Sequence, residues 1–151
     1  MILWRISNHT DLSGLGGERA HGRWHKAGRG KRIVYLSEHP AVALVETLVN
    51  LRGNAALFPE RFQLLKVSLP AAVDVAEAEA IKRLESLDET QAVGDKWLAS
   101  GESAILRVPS VPSPESWNYL LNPLHPKAIG VAIDWSRSIA YDRRLFHLKS
   151  L

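Results

Sequence analysis

Apolar and polar residues alternate from the start of the chain: Ile2, Trp4 and Ile6 fall on one side, Leu3, Arg5 and Ser7 on the other. A two-residue period is that of a strand, so residues 1–7 are expected to form one, with a single arginine projecting from it. The period is lost across 8–31, where Gly14, Gly16, Gly17, Gly22, Gly28 and Gly30 interrupt every pattern. An irregular stretch of that length inside a compact domain is usually a functional loop. Arg32 to Leu36 reads as a second strand containing Tyr35. Pro40 suits the first turn of a helix running to about Leu51, with Gly53 beyond it as a stop. That helix is apolar nearly all round, and its polar exceptions are Glu46, Thr47 and Asn50. Glu46 and Asn50, four apart, share a face.

Further along, Phe62–Leu69 has strand character and ends at Pro70, and Glu77–Leu87 has the pattern of a solvated amphipathic helix. A second helix is expected over Thr90–Ser100, capped by Thr90 and terminated by Gly101. Ser103–Val108, Asn118–Leu121, Ala128–Ile133 and Leu145–Leu148 read as strands. Strands and helices mixed in this order predict an α+β domain with one or two antiparallel sheets flanked by short helices. There is no internal repeat or linker, so residues 1–151 are expected to form a single domain.

Composition narrows the picture. Hydrophobic residues make up 46% of the 151 positions and charged residues 23%, which is ordinary for a folded chain and unlike a disordered one. The absence of cysteine excludes disulfides and thiolate metal sites. No apolar run approaches the ~20 residues of a membrane span, and the N-terminus lacks the layout of a secretory signal, so a soluble, cytosolic protein without membrane contact is expected. The net charge is only +3. Its distribution says more, because Arg19, Arg23, Lys26, Arg29, Lys31 and Arg32 fall in a stretch without acids. A local basic segment favours an anionic ligand, and a phosphate-bearing small molecule meets that need as well as RNA does.

Familiar ligand motifs do not fit. Gly30-Lys31 is followed by Arg32, where a phosphate loop needs Ser or Thr. Gly14-Leu15-Gly16 reaches Arg19, where a dinucleotide fingerprint needs a third glycine. His21 and His25 stand four apart like some zinc ligands, but no glutamate follows His21 and the glycines around them disfavour a helix, so no metal is expected. What remains is a set of polar residues on strong local structure: Arg5, Arg23, Tyr35, Glu46 and Ser110. Ser103 competes with Ser110, since both flank the same strand. Asn118, Asn122 and His125 are read as fixing the turns around Pro123 and Pro126.

The contexts of these residues resemble the RES domain, a family named for an arginine, a glutamate and a serine. Its blocks stand here in order: Trp4-Arg5-Ile6, Gly22-Arg23-Trp24, Val34-Tyr35-Leu36-Ser37 continuing to Ala43-Leu44 and Glu46, Leu106-Arg107-Val108-Pro109-Ser110, and Asn118-Tyr119-Leu120-Leu121-Asn122-Pro123 with His125-Pro126. The resemblance spans Trp4 to Pro126. It implies an ADP-ribosyltransferase-like fold, a toxin acting on NAD⁺ by hydrolysis, phosphorolysis or transfer of ADP-ribose, and an Xre-type helix-turn-helix antitoxin as partner. NAD⁺ would be a substrate and not a resident cofactor, and no direct binding of nucleic acid is expected. By the same resemblance Glu46, Arg23, Tyr35 and Ser110 are the catalytic set, and Arg5, Arg23, Tyr35 and Ser110 hold the dinucleotide.

The chemistry is compatible with so small a set. The leaving nicotinamide is already a pyridinium cation and needs no general acid, so one carboxylate can replace the pair that glycosidases use. Guanidinium forks pair bidentately with a pyrophosphate. Two readings of other kinds stay open at this point, an RNA-directed toxin suggested by the basic segment and a non-catalytic binding module.

Overall fold

The computed structural model describes residues 1–51 and 55–146. Its strands are β1 (Ile2–Ser7), β2 (Val34–Ser37), β3 (Arg61–Ser68), β4 (Val75–Glu77), β5 (Ile105–Pro109), β6 (Trp117–Leu121) and β7 (Ala132–Ala140), and its helices are α1 (Leu15–Arg19), α2 (Pro40–Asn50) and α3 (Leu87–Ser100). The strands form one seven-stranded sheet in the order β4-β5-β6-β2-β1-β3-β7. Every neighbour pair is antiparallel except β4 with β5. The α+β expectation holds, with a single mixed sheet.

Alternation along the strands splits the core between the two faces of the sheet. Leu3, Val34, Leu36, Leu65, Val67, Tyr119 and Leu121 pack on one face, beneath Leu69 and Val73 of the loop after β3. Leu106, Val108 and Leu120 pack on the other against Trp24, Ile33 and Trp97. That second face carries α3 and, through Tyr35, Ser37 and Asn118, the polar groups described below.

One break in the sheet matters. β1 follows β3 over its whole length, from Ile2↔Ser68 to Ser7↔Gln63, but it meets β2 at the single pair Trp4↔Ser37. Beyond that pair no further β1–β2 pairing forms, and Ile6, Ser7, Ile33 and Tyr35 all line one cleft.

Helix α2 begins as expected, with Pro40 in its first turn and the His39 Nδ1 accepting from the Ala41 amide at 3.1 Å. The stop expected at Gly53 lies outside the described residues. Gly101 ends α3 at φ 62°, a left-handed conformation that favours glycine. The helix starts earlier than Thr90, because Ser86 takes the cap. Thr90 Oγ1 instead donates to the Arg23 carbonyl at 2.7 Å.

The helix expected over 77–87 does not form. Val75–Glu77 pair in parallel with Ile105–Arg107, the Ala78 amide donates to the Arg107 carbonyl, and Ala78, Ile81 and Leu84 turn into the core. Backbone pairing and burial override a modest local helical pattern. The strand expected over 128–133 begins only at Ala132, after a short turn of 3₁₀ helix at Pro126–Ala128. The last expected strand is likewise replaced by 3₁₀ helix at Arg143–Phe146, its remainder lying outside the described residues.

The long glycine-rich segment is irregular apart from α1, yet its middle is held firmly by α3. Gln91 Nε2 donates to the Gly22 carbonyl at 2.9 Å, and Asp95 accepts from the Lys26 amide at 3.2 Å. Between these bonds Gly94 lies directly against the Trp24 backbone: a Cβ on it would sit 1.7 Å from the Trp24 carbonyl oxygen. Overpacking of this kind costs about 1–3 kcal/mol or more. Gly94→Ala is therefore expected to lower the melting temperature by about 3–10 °C at this chain length. An unchanged melting curve would show that α3 does not press on the 22–26 segment.

Candidate active site

The parting of β1 from β2 opens a cleft of about 670 Å³, roofed by α1 and the glycine-rich segment and flanked by α2. Small-molecule sites commonly span roughly 300–1,000 Å³. Arg5, Arg19, Arg23, Tyr35, Glu46 and Asn118 all line it.

Glu46 is the best-defined group there. It projects from α2 toward the ends of β5 and β6, where Ser110 Oγ donates to its Oε1 at 2.7 Å and Asn118 Nδ2 donates to the same oxygen at 2.6 Å. Oε2 has no hydrogen-bond partner among the described residues. One oxygen is thus clamped while the other stays available. Ser37 Oγ in turn donates to Asn118 Oδ1 at 2.7 Å.

Ser110 is buried at 2% exposure, below the surface of the cleft, and its Oγ also accepts from the Ser113 amide at 3.2 Å. The resemblance implies a role for this hydroxyl toward substrate; in the structure it is bonded to Glu46. Ser103 is brought nowhere near Glu46. Its hydroxyl accepts from Trp97 Nε1 at 2.9 Å and donates to the Ile105 carbonyl at 2.8 Å, holding α3 to the start of β5.

Tyr35 stands on the floor of the cleft in a network of its own. Its hydroxyl accepts from the Trp24 amide at 3.1 Å and lies 2.7 Å from His25 Nδ1. His25 Nε2 lies 3.0 Å from the Gly17 carbonyl, which can only accept, so Nε2 carries the proton and Nδ1 accepts from Tyr35. Burial pushes the Tyr35 hydroxyl above the ordinary phenol range and pulls His25 below its ordinary value, keeping both neutral. Gly22 completes this packing, since a Cβ there would sit 2.3 Å from the Tyr35 hydroxyl. The glycine admits protein side chains as well as lining the cleft.

The arginines differ. Among the described residues Arg5, from β1, has a buried Nε without a partner, and burial lowers its pKa, opposed in part by Asp11. Arg23 has a buried, unpartnered Nε too, but its Nη2 donates to the Leu84 carbonyl. A buried donor left unpaired costs about 1–3 kcal/mol. The basic segment is less positive than its sequence suggests, because Arg32 pairs with Glu18 at 2.6 Å and Lys31 with Asp95 at 3.1 Å.

Sequence reasoning missed Asn118, Ser37 and His25 as parts of this site. For Asn118 a signal existed: a polar residue inside Trp117-Asn118-Tyr119-Leu120-Leu121, an otherwise apolar strand, must find a buried partner. His125 and Asn122 do fix turns, through the Lys127 and Leu124 amides.

Known proteins resemble this chain along nearly all of it. The RES domain model matches residues 2–144. A "Toxin Res" of Pseudomonas putida is 40% identical over 148 residues, 97% of this chain and 100% of that protein. A "Prs ADP-ribosylating toxin" of Sphingobium sp. is 34% identical, covering 94% of each. Among solved structures, a chain of the M. tuberculosis MbcT–MbcA toxin–antitoxin complex superposes with a TM-score of 0.71 at 16% identity, covering 96% of this chain and 86% of that one, a likeness of fold. The family match and the Pseudomonas relative each extend over almost the whole sequence, and the chain belongs to the RES domain family.

Proposed function

We propose that this chain is the toxin of a toxin–antitoxin pair and that it cleaves the nicotinamide–ribose bond of NAD⁺ in the cleft between β1 and β2. The observation that carries the reading is Glu46, held through one oxygen by Ser110 and Asn118, with its other oxygen unpartnered among the described residues. A carboxylate fixed this way is preorganised to stabilise the positive charge that develops on the ribose as the bond to nicotinamide breaks. The bonding pair leaves with nicotinamide, which departs neutral. The ribosyl cation is then captured by water with loss of a proton, by phosphate, or by a nucleophile of a target protein. Hydrolysis or phosphorolysis is the first reading, and transfer to a protein is the alternative favoured by the name of the Sphingobium relative.

The remaining groups have matching tasks. Arg5 and Arg23 both line the cleft, and their guanidinium groups suit a pyrophosphate. Tyr35, fixed by Trp24 and His25, presents a rigid ring as a wall for nicotinamide or ribose. The relatives' names and the toxin–antitoxin complex containing the structural neighbour support an antitoxin as partner. An Xre-type helix-turn-helix protein covering the cleft is the form proposed for it.

Incubated with NAD⁺, with and without phosphate, the purified chain is expected to release nicotinamide. Glu46→Gln is expected to lower that rate by about 100-fold or more while still folding. ADP-ribose among the products marks hydrolysis, its 1″-phosphate marks phosphorolysis, and a labelled protein marks transfer. NAD⁺ left intact in all conditions would refute the proposal.

Arg5→Met, which keeps the apolar stem but loses the fork, is expected to raise KM about tenfold, since charge-assisted bonds contribute ~1.5–3 kcal/mol. A wild-type KM would remove Arg5 from the binding site.

His25 gives a pH dependence with a definite sign. Its folded pKa is depressed below 6.5, so the stability it contributes is complete above 6.5 and is lost as pH falls through the folded value. Melting temperature is expected to drop between about pH 7 and 5, with a shallower drop in His25→Gln. Equal slopes in the two proteins would show that His25 is not held neutral.

A further inference from the structure

Glu46 is clamped by two donors that differ in kind. Ser110 supplies a hydroxyl, whose proton swings freely toward whichever acceptor is near. Asn118 supplies an amide, which has a donor end and an acceptor end and turns about a soft, roughly two-fold torsion. Only one orientation serves the carboxylate, because the other sets the Oδ1 lone pairs against Oε1.

The groups around Asn118 make that orientation complete. Asn118 and Ser37 are both nearly inaccessible to solvent, at 6% and 5% exposure, and they stand directly opposite one another across the β2–β6 ladder. The Ser37 hydroxyl donates to Asn118 Oδ1 at 2.7 Å, and the other end of the same amide donates to Glu46 at 2.6 Å. Without the Ser37 proton, Oδ1 would be a buried acceptor with no donor, and the amide would gain by turning away from the carboxylate. A hydroxyl donating to an amide carbonyl also polarises the amide and strengthens its N–H as a donor.

We propose that Ser37 is a positioning residue for Glu46, acting through Asn118: its hydroxyl anchors the amide that aims the carboxylate. The inference rests on the reading of Glu46 as the group that stabilises the breaking bond, and it assigns Ser37 no contact with substrate. The strand register is what builds the relay, since one slip of β2 against β6 would turn Ser37 to the opposite face.

Ser37→Ala is expected to lower kcat for nicotinamide release about tenfold with KM within about twofold of wild type, as a misaimed group costs rate more than affinity. Ser37→Thr, which retains the hydroxyl, is expected to restore most of the rate. In an Asn118→Ala background, Ser37→Ala is expected to subtract nothing further, because the two act as one chain. A readout independent of turnover is the side-chain amide pair of Asn118 in nitrogen-15 spectra, identified by its loss in Asn118→Ala. In the wild type these protons are expected to exchange slowly, and in Ser37→Ala to exchange faster and move toward solvent positions.

The two proposals fail separately. A wild-type chain that leaves NAD⁺ intact refutes the NAD⁺ reading, while the Asn118 amide signals still decide the relay. An active wild type matched in kcat by Ser37→Ala, or Asn118 signals that Ser37→Ala leaves in place, overturns the role of Ser37.

Discussion

A carboxylate on a mostly apolar helix has few favourable positions. It can face water, or it can turn inward if donors are waiting, because an ion without partners is costly to bury. Glu46 takes the second course with one oxygen only, and that choice ties three parts of the chain together. The bond from Ser110 fixes α2 to the end of β5, and the bond from Asn118 fixes it to β6. The same bonds that seat the helix on the sheet aim its acid into the cleft. Packing and chemistry are therefore one interaction here.

The opposite side of the cleft depends on a different device. The 17–26 region has little regular structure, yet it carries Arg23, Trp24 and His25 into place because α3 grips its backbone. Gln91, Thr90 and Asp95 bind successive backbone groups, and Gly94 lets the helix approach until it touches the Trp24 carbonyl. Trp24 then anchors the segment in the core beside Trp97, and its amide fixes the Tyr35 hydroxyl. Ordering this loop costs conformational entropy, and contacts made outside the cleft offset that cost. Its lining face remains available to ligand.

Local pattern made much of this legible. The alternation at 1–7, Pro40 and Gly101 located β1, α2 and the end of α3, because each reports a backbone preference that acts within a few residues. The helix expected over 77–87 shows the limit: Val75–Glu77 are claimed by a strand distant in sequence, and Arg23 reaches the Leu84 carbonyl from across the fold. For the site, Arg5, Arg23, Tyr35 and Glu46 do line one cleft. The bond from Ser110 to Glu46, and the contacts made by Asn118, Ser37 and His25, depend on cross-strand register and burial. Periodicity says which residues share a face, but not which of two faces meets α2.

The break between β1 and β2 has a mechanical meaning. Continuous ladders stiffen a sheet, and here the ladder narrows to one pair, Trp4↔Ser37. On one side lies the plate β4-β5-β6-β2, which bears Tyr35, Ser37 and Asn118 and the clamp on Glu46. On the other lies the plate β1-β3-β7, which bears Arg5. The cleft lies where the two plates part, and residues of both line it. A ligand seated between Arg5 and Glu46 would touch both plates. One cleft thus draws its lining from both halves of the sheet, and its shape is set by how the two halves are joined.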